Sequence, residues 1–485
     1  MHTQRLPLSA ITLVCCTSCS WWSRFDELQE STPVVEMPSP GGMPGFGTTM
    51  TTVPSNDETV LLVLGEPNVT AKGALYRIHN DAPAATPAAS GFCPSKRCLF
   101  GDDPAPVHSL SLDGKPYASC FLLGVGDRNN ALGLLGQCAD GKEFVLPVPS
   151  RSDDYPHVKA PQDVITEDLT ALALGNLLIG DFKYAASAEN NPLIAAATRH
   201  LGAAWFYAPG TTTPVVLSPV ALPGQTLEDS LLLLGDTFGS EVAVARLSSG
   251  GHLVAIASPR GVGNDTQGRV WLYRVVDGKV VHHGPVPDVP APMGCLPGFR
   301  RDFGVHMHTG RLFGTATEQL LISDGSTISI YDADDLAEHP PTSDCSGPPL
   351  GSAGYITGVS CVETASVTGC SYATTGFGRA IALADVDGDG TPELVVGAPT
   401  LDVDGTNNAG AALVYRVDPE GKQTRLLEAR FLSSRDTGDA LGSSIASLRI
   451  GSRDVIAAGA PGLGSFFLFY CSTLGGAGRD SSRCE

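Results

Sequence analysis

Short apolar runs, each closed by Gly, Pro, Asp or Asn, recur along most of the chain. Clear examples are "TVLLVLG" at 59–65, "HLVAIASP" at 252–259, "ELVVGAP" at 393–399, "GAALVYRV" at 410–417 and "DVIAAGAP" at 454–461. Runs of this length, rich in Val, Ile, Leu and aromatics and bounded by turn formers, predict β-strands. Long helical stretches rich in Glu, Lys and Arg are missing. Many short strands joined by turns are expected, and little else.

The runs are ordered into a repeat. The clearest unit spans Phe377 to Asp418: a strand after Phe-Gly, an acidic turn, the strand "ELVVGAP", a polar loop, and the strand "GAALVYRV". The same order returns at 238–275, 303–333 and 441–470, and more faintly at 176–208 and 117–148. Near the start, "ETVLLVLGEPNVTAKGALYRIHN" supplies the second half of a unit, with Gly65-Glu66-Pro67 read as the counterpart of Gly397-Ala398-Pro399. Phe-Gly at 238, 303 and 377 and Leu-Gly at 441 are separated by 65, 74 and 64 residues, room for four short strands and their turns. A four-stranded sheet cannot bury both faces alone, so radial packing of the repeats is the physical solution, and seven units close a propeller. A β-sandwich or a β-helix could use the same strands, although β-helix coils are usually shorter than these units.

The alternation of Phe377-Gly378 with Gly397-Ala398-Pro399 around an Asp-rich turn resembles the FG-GAP repeats of the integrin α-subunit propeller. Gly459-Ala460-Pro461 matches the second half of that pattern and Ala257-Ser258-Pro259 approximates it. The resemblance is strong over 238–470 and faint over 53–237. It implies an all-β, seven-bladed propeller whose repeats serve adhesion and ligand binding rather than catalysis.

The acidic turn, Asp385-Val386-Asp387-Gly388-Asp389-Gly390-Thr391-Pro392-Glu393, has the chemistry of a Ca2+ loop. Carboxylates at alternating positions of a tight turn can converge on one ion, and Gly388 and Gly390 let the backbone turn sharply enough. Calcium takes six to eight oxygens at about 2.4 Å. Asp385, Asp387 and Asp389 are the expected side-chain ligands, the Thr391 carbonyl a backbone ligand, and Glu393 the closing carboxylate. An EF-hand shares the opening residues but needs Glu at its twelfth position, where Val396 stands, and an exiting helix instead of a strand. The integrin-type loop closes at its ninth position, here Glu393. The equivalent stretches at 245–253 and 446–455 lack the carboxylate set, so one calcium site is expected. Asp402-Val403-Asp404-Gly405 reads as a turn.

The N-terminus and the cysteines lead to the expectation of an exported protein. The 31 basic and 51 acidic residues give a formal charge of −20, which argues against nucleic acid or anionic lipid as partner. Residues 1–19 read as an export signal: a basic start, a short apolar run from Leu6 to Val14, then Cys15, Cys16 and Cys19. Thr17-Ser18-Cys19 resembles the end of a bacterial lipoprotein signal, with Cys19 the lipidated residue, although Cys16 stands where Leu is usual. An outer-membrane or cell-surface lipoprotein is expected, with a secreted or periplasmic protein the alternative. Residues 20–52, rich in Pro, Gly, Met and Thr, read as a flexible stalk. The propeller is assigned to 53–472 and a disulfide-tethered tail to 473–485. Beyond the signal region, Cys93, Cys98, Cys120, Cys138, Cys295, Cys345, Cys361, Cys370, Cys471 and Cys484 form an even set without a CxxC pair, as disulfides would. Short spacings suggest Cys93–Cys98, Cys120–Cys138, Cys361–Cys370 and Cys471–Cys484, leaving Cys295–Cys345.

No nucleophile elbow, His-Glu-x-x-His or phosphate-cradling loop occurs. His282-His283, His306 and His308 read as ordinary surface histidines, Asp324-Gly325-Ser326 as a hairpin turn, and Trp205, Tyr207, Trp271, Tyr273, Tyr415 and Tyr470 as packing residues. The expected function is a non-enzymatic, calcium-binding adhesion module that presents propeller loops to a protein or glycan partner. A propeller enzyme acting on polysaccharide and a purely structural envelope protein are the alternatives.

Overall fold

The structure, a computed structural model, describes residues 34–40, 42–43, 45–55, 58–65, 73–79, 82–90, 99–100, 104–127, 130–146, 182–198, 203–217, 238–259, 268–281, 292–298, 302–341, 354–357, 376–386, 388–403, 406–417, 426–433, 437–450 and 453–469. Strand β1 spans Val34–Pro38. Blade one is β2 (Thr49–Ser55), β3 (Glu58–Leu64), β4 (Gly73–His79) and β5 (Ala82–Ser90). Blade two holds β6 (Leu99–Phe100), β7 (Ala105–Leu112), β8 (Lys115–Asp127), β9 (Asn130–Cys138) and β10 (Glu143–Leu146). Blade three is β11 (Phe182–Ala186), β12 (Ile194–Thr198), β13 (Ala203–Tyr207) and β14 (Pro214–Leu217). Blade four holds β15 (Glu241–Arg246), β16 (His252–Ser258), β17 (Arg269–Val276), β18 (Lys279–Val280) and β19 (Gly294–Pro297). Blade five is β20 (His306–Gly310), β21 (Gln319–Ser323), β22 (Thr327–Asp332) and β23 (Gly354–Thr357), with the short helix α1 (Ala333–Glu338) after β22. Blade six is β24 (Ile381–Ala384), β25 (Glu393–Ala398), β26 (Ala411–Val417) and β27 (Leu426–Ser433). Blade seven joins β28 (Ile445–Ile450), β29 (Arg453–Ala460) and β30 (Ser465–Phe469) to β1, which pairs antiparallel with β30 from Val34↔Phe469 to Pro38↔Ser465.

The innermost strands touch in cyclic order, β2 to β7, β11, β15, β20, β24, β28 and back to β2, which makes a closed seven-bladed β-propeller. Its core is a series of wedges between blades. Along β25 and β26, Leu394, Val396, Leu413 and Tyr415 pack toward blade five, while Val395, Ala412 and Val414 pack toward blade seven. Both faces are buried, which explains why "ELVVGAP" is continuously apolar instead of alternating. The aromatic residues singled out in the sequence fill these wedges: Trp205, Tyr207, Trp271, Tyr273 and Tyr415 are all buried, and Tyr470 lies outside the described residues.

The Phe-Gly and Gly-Ala-Pro motifs are two halves of one contact between blades. The glycine of each Phe-Gly has φ near +80 to +90° (Gly47 +93°, Gly239 +86°, Gly304 +89°, Gly378 +79°, and Gly442 of Leu-Gly +85°), a conformation that glycine adopts at little cost. Within its own blade its N–H donates to the second strand: Gly378 to the Gly397 carbonyl at 2.9 Å, Gly442 to Gly459 at 2.9 Å, Gly47 to Leu64 at 3.1 Å. Its other side lies on the preceding blade. A Cβ on Gly397 would sit 2.0 Å from the Gly442 carbonyl oxygen, and one on Gly459 2.0 Å from that of Gly47. The small residues of Gly-Ala-Pro are therefore the seat for the next blade's Phe-Gly.

This register corrects two expectations. Gly47 bonds to Leu64, so Leu64-Gly65-Glu66, one residue earlier than expected, is the counterpart of Gly397-Ala398-Pro399. Phe46-Gly47 is itself the Phe-Gly of blade one, with Phe46 fully buried against Tyr76 and Phe466. The propeller thus starts at Val34 and not at 53: residues 34–38 and 49–52, expected in a flexible stalk, are strands. Pro and Gly here mark an edge strand and turns. Residues 1–33 and 470–485, with the expected signal, Cys19 and the tail, lie outside the described residues.

Hydroxyl groups tie the closing blades together. Thr52 and Thr59 of blade one donate to the Ser447 and Arg449 carbonyls at 2.7 and 3.1 Å, and Ser444 returns a bond to the Gly47 carbonyl at 2.6 Å. Cys120 and Cys138 are direct partners in the β8–β9 pairing and form a disulfide. Cys295 is also disulfide-bonded. The other cysteines of the expected set lie outside the described residues. Among the described residues no helix is long and apolar enough to cross a membrane.

Candidate calcium loop and axial cavity

The acidic turn leaves the inner strand β24 at Asp385 and enters β25 at Glu393, so it projects from the end of blade six next to blade seven. Gly388 and Gly390, at φ +76° and +86°, supply the turns that the sequence predicted. Asp385 is 8% exposed. Its Oδ2 accepts the Gly390 N–H at 3.3 Å across the loop, and its Oδ1 is buried without a hydrogen-bond partner. A buried, unpartnered carboxylate oxygen is costly unless a cation or donor satisfies it, so Asp385 fits a calcium ligand. Asp389 Oδ1 accepts the Thr391 N–H at 2.8 Å, shaping the second half of the turn. Asp387 lies outside the described residues.

Glu393 is held by Arg416 and by the loop backbone. Its Oε1 accepts from Arg416 Nη2 at 2.8 Å and Nε at 3.1 Å, and its Oε2 accepts the Val386 N–H at 3.1 Å. The carboxylate is buried, so its charge is met by this guanidinium. In this structure the carboxylate braces the start of the loop to β26.

Blade seven completes the surroundings of the loop. Asp385 donates its N–H to Asp454 Oδ2 at 2.9 Å, and the Asp454 N–H returns to the Asp385 carbonyl at 2.9 Å. Arg449 Nη1 stands 3.1 Å from Asp454 Oδ1 and 3.7 Å from Asp385 Oδ2. Sequence reading missed Arg416, Arg449 and Asp454. Arg416 sits in an apolar strand, and "ASLRIGSRDV" was read only for the ligands it lacks. Laying blade seven on blade six through their Gly-Ala-Pro triplets would have set the β28–β29 turn beside the acidic loop.

Asp402 Oδ1 accepts the Asn408 N–H at 2.8 Å and Val403 pairs with Thr406, while Asp404 and Gly405 lie outside the described residues. Asp324 accepts from Ser326 and from the N–H and hydroxyl of Thr327, closing the β21–β22 hairpin.

The second concave feature is a cavity of about 470 Å³ on the propeller axis, lined by residues from all seven blades. His108, His306, His308, Glu241, Glu318 and Arg379 contribute its ionisable groups. Glu241 Oε2 lies 3.6 Å from His306 Nδ1 and 3.9 Å from Lys183 Nζ. This acidic neighbour of His306 was invisible in sequence because it comes from the adjacent blade. Burial lowers the pKa of His108 and takes that of His308 down to about 4, so both rings are neutral at pH 7. Burial raises the pKa of Glu318, against the pull of the Arg246 N–H that it accepts. Among the described residues no cluster of three or more His, Cys, Asp or Glu side chains is arranged to hold a metal.

The FG-GAP repeat family matches residues 377–415, the segment that contains the acidic loop and both halves of the blade contact. No curated protein matches the chain. Fold, motif geometry and family match agree: the chain is a seven-bladed β-propeller carrying an FG-GAP repeat in its sixth blade.

Proposed function

We propose that the protein is a non-enzymatic, surface-anchored binding module, braced by calcium, that offers its propeller loops to a protein or glycan partner. The observation that carries the calcium part is the buried, unpartnered Oδ1 of Asp385 inside a glycine-turned acidic loop. Asp385, Asp387 and Asp389 would supply side-chain oxygens and Thr391 its carbonyl, with Glu393 holding the loop to Arg416. The bound ion would neutralise adjacent carboxylates and stiffen the end of blade six. The binding part is supported by the fold, a rigid ring whose loops form a broad recognition surface. Anchoring would run through Cys19. Isothermal titration of the purified chain with calcium chloride, then glycan and protein arrays with and without the ion, test the proposal. A blank array together with no cell-surface exposure would remove the adhesion reading.

The axial cavity favours a second reading, an extracellular enzyme acting on polysaccharide, because Glu241 and Glu318 both line it. Release of reducing ends or unsaturated products from a polysaccharide panel, abolished in Glu241→Gln, would support that alternative.

A further inference from the structure

We infer that Arg449 is a built-in competitor of the calcium ion, a cation lent by blade seven that stands beside Asp385 while it is hydrogen-bonded to Asp454. The inference rests on the calcium reading above and adds a residue from outside the loop that sets its affinity. Arg449 Nη1 is shared unequally between two carboxylates, 3.1 Å from Asp454 Oδ1 and 3.7 Å from Asp385 Oδ2. The shorter contact is the hydrogen bond, so the guanidinium has a partner to retain when Asp385 turns to a metal. Asp454 itself is fixed through its carboxylate and its N–H, which bond to the N–H and carbonyl of Asp385 and keep both residues in register across the blade boundary. Arg449 lies on the inner strand of blade seven, and the carbonyl of this same residue accepts the Thr59 hydroxyl of blade one at 3.1 Å.

The electrostatics give the size of the effect. A unit positive charge about 6 Å from a divalent ion in a water-like dielectric weakens binding roughly tenfold. The Arg449 side chain is 49% exposed, so folding tolerates its replacement and added salt screens its repulsion.

Calcium titration of the purified chain, followed calorimetrically at low and at moderate salt, tests this. Arg449→Gln and Arg449→Met, which remove the charge, should bind calcium about tenfold more tightly than the wild type, with the gain shrinking as salt rises, while Arg449→Lys stays within about threefold. In the metal-free protein the same two neutral variants should melt at a lower temperature, and calcium should raise their melting temperature more than that of the wild type. If the wild type binds calcium and the neutral variants bind it equally or more weakly, Arg449 is no competitor and the inference fails, while the calcium reading stands. If neither wild type nor any variant binds calcium, both fall.

Discussion

Gly397 of blade six and Gly442 of blade seven meet with no room for a side chain: a Cβ on Gly397 would lie 2.0 Å from the Gly442 carbonyl oxygen. The obstacle is backbone, held by the Gly442 N–H bond to Gly459 at 2.9 Å, so it cannot swing aside. Gly397→Ala should therefore cost about 3 kcal/mol or more, by strain at a packed contact. Gly250→Ala, at φ +87° with nothing within 4 Å, pays for backbone conformation alone and should cost about 1 kcal/mol. Urea unfolding of the two variants checks the contrast.

Asp454 supplies a hydrogen-bond acceptor to the neighbouring blade, where the Asp385 N–H has it as its partner. Replacing it with Ala should destabilise the protein by about 1–3 kcal/mol. Hydrogen exchange should show the Asp385 amide losing protection while amides in β16 and β17 keep theirs.

Reduction of Cys120–Cys138 removes a cross-link between positions 18 residues apart. By loop entropy this costs about 3 kcal/mol. Cys120→Ser paired with Cys138→Ser should lower the urea midpoint, and reductant should then shift it less than in the wild type.

His308 makes stability depend on acid. Its folded pKa, about 4, lies below the ordinary value of 6.5, so the unfolded chain binds its proton first. The contribution is fully present above pH 6.5 and is lost as pH falls toward 4. Because the ring borders the axial cavity, where water lessens the desolvation, a loss of about 2 kcal/mol is expected rather than the full shift. His308→Gln should flatten the wild-type decline between pH 7 and pH 4.5, measured by urea unfolding at both.

Phe46 is fully buried between Tyr76 of blade one and Phe466 of blade seven. Phe46→Ala should cost about 3–5 kcal/mol, as large-to-small changes do in packed cores. A residue of a flexible stalk would cost nothing, so thermal melting of this variant also tests where the propeller begins.

Much of the fold was legible because its rules are local. Phe-Gly at 238, 303 and 377 announces itself through a glycine that must take positive φ, and Gly397-Ala398-Pro399 through the smallness its seat demands. Phe46-Gly47 obeys the same rule but was hidden among prolines and methionines that suggested a tether. The one-residue slip at Gly65 arose because in blade one Leu64 occupies the seat, so the glycine beside it attracted the alignment. The acidic loop was readable for the same local reason, since its aspartates and glycines are neighbours in sequence. Its partners were not. Arg416 follows Glu393 by 23 residues and Asp454 follows Asp385 by 69, and only the pairing of strands and the juxtaposition of blades bring them together.

The pairing of β1 with β30 has a mechanical side. The chain ahead of Val34 leaves from the outermost strand of blade seven, at the Val34↔Phe469 pair. If a partner pulls on the loops while the N-terminal segment is held, tension enters the ring at that pair. A pull across the strands would open the five pairs one after another, as a zipper, whereas a pull along them would load all five at once. The latch that closes the circle is also the part through which the ring would first yield, so the direction of pull, as well as its strength, would decide how long it holds.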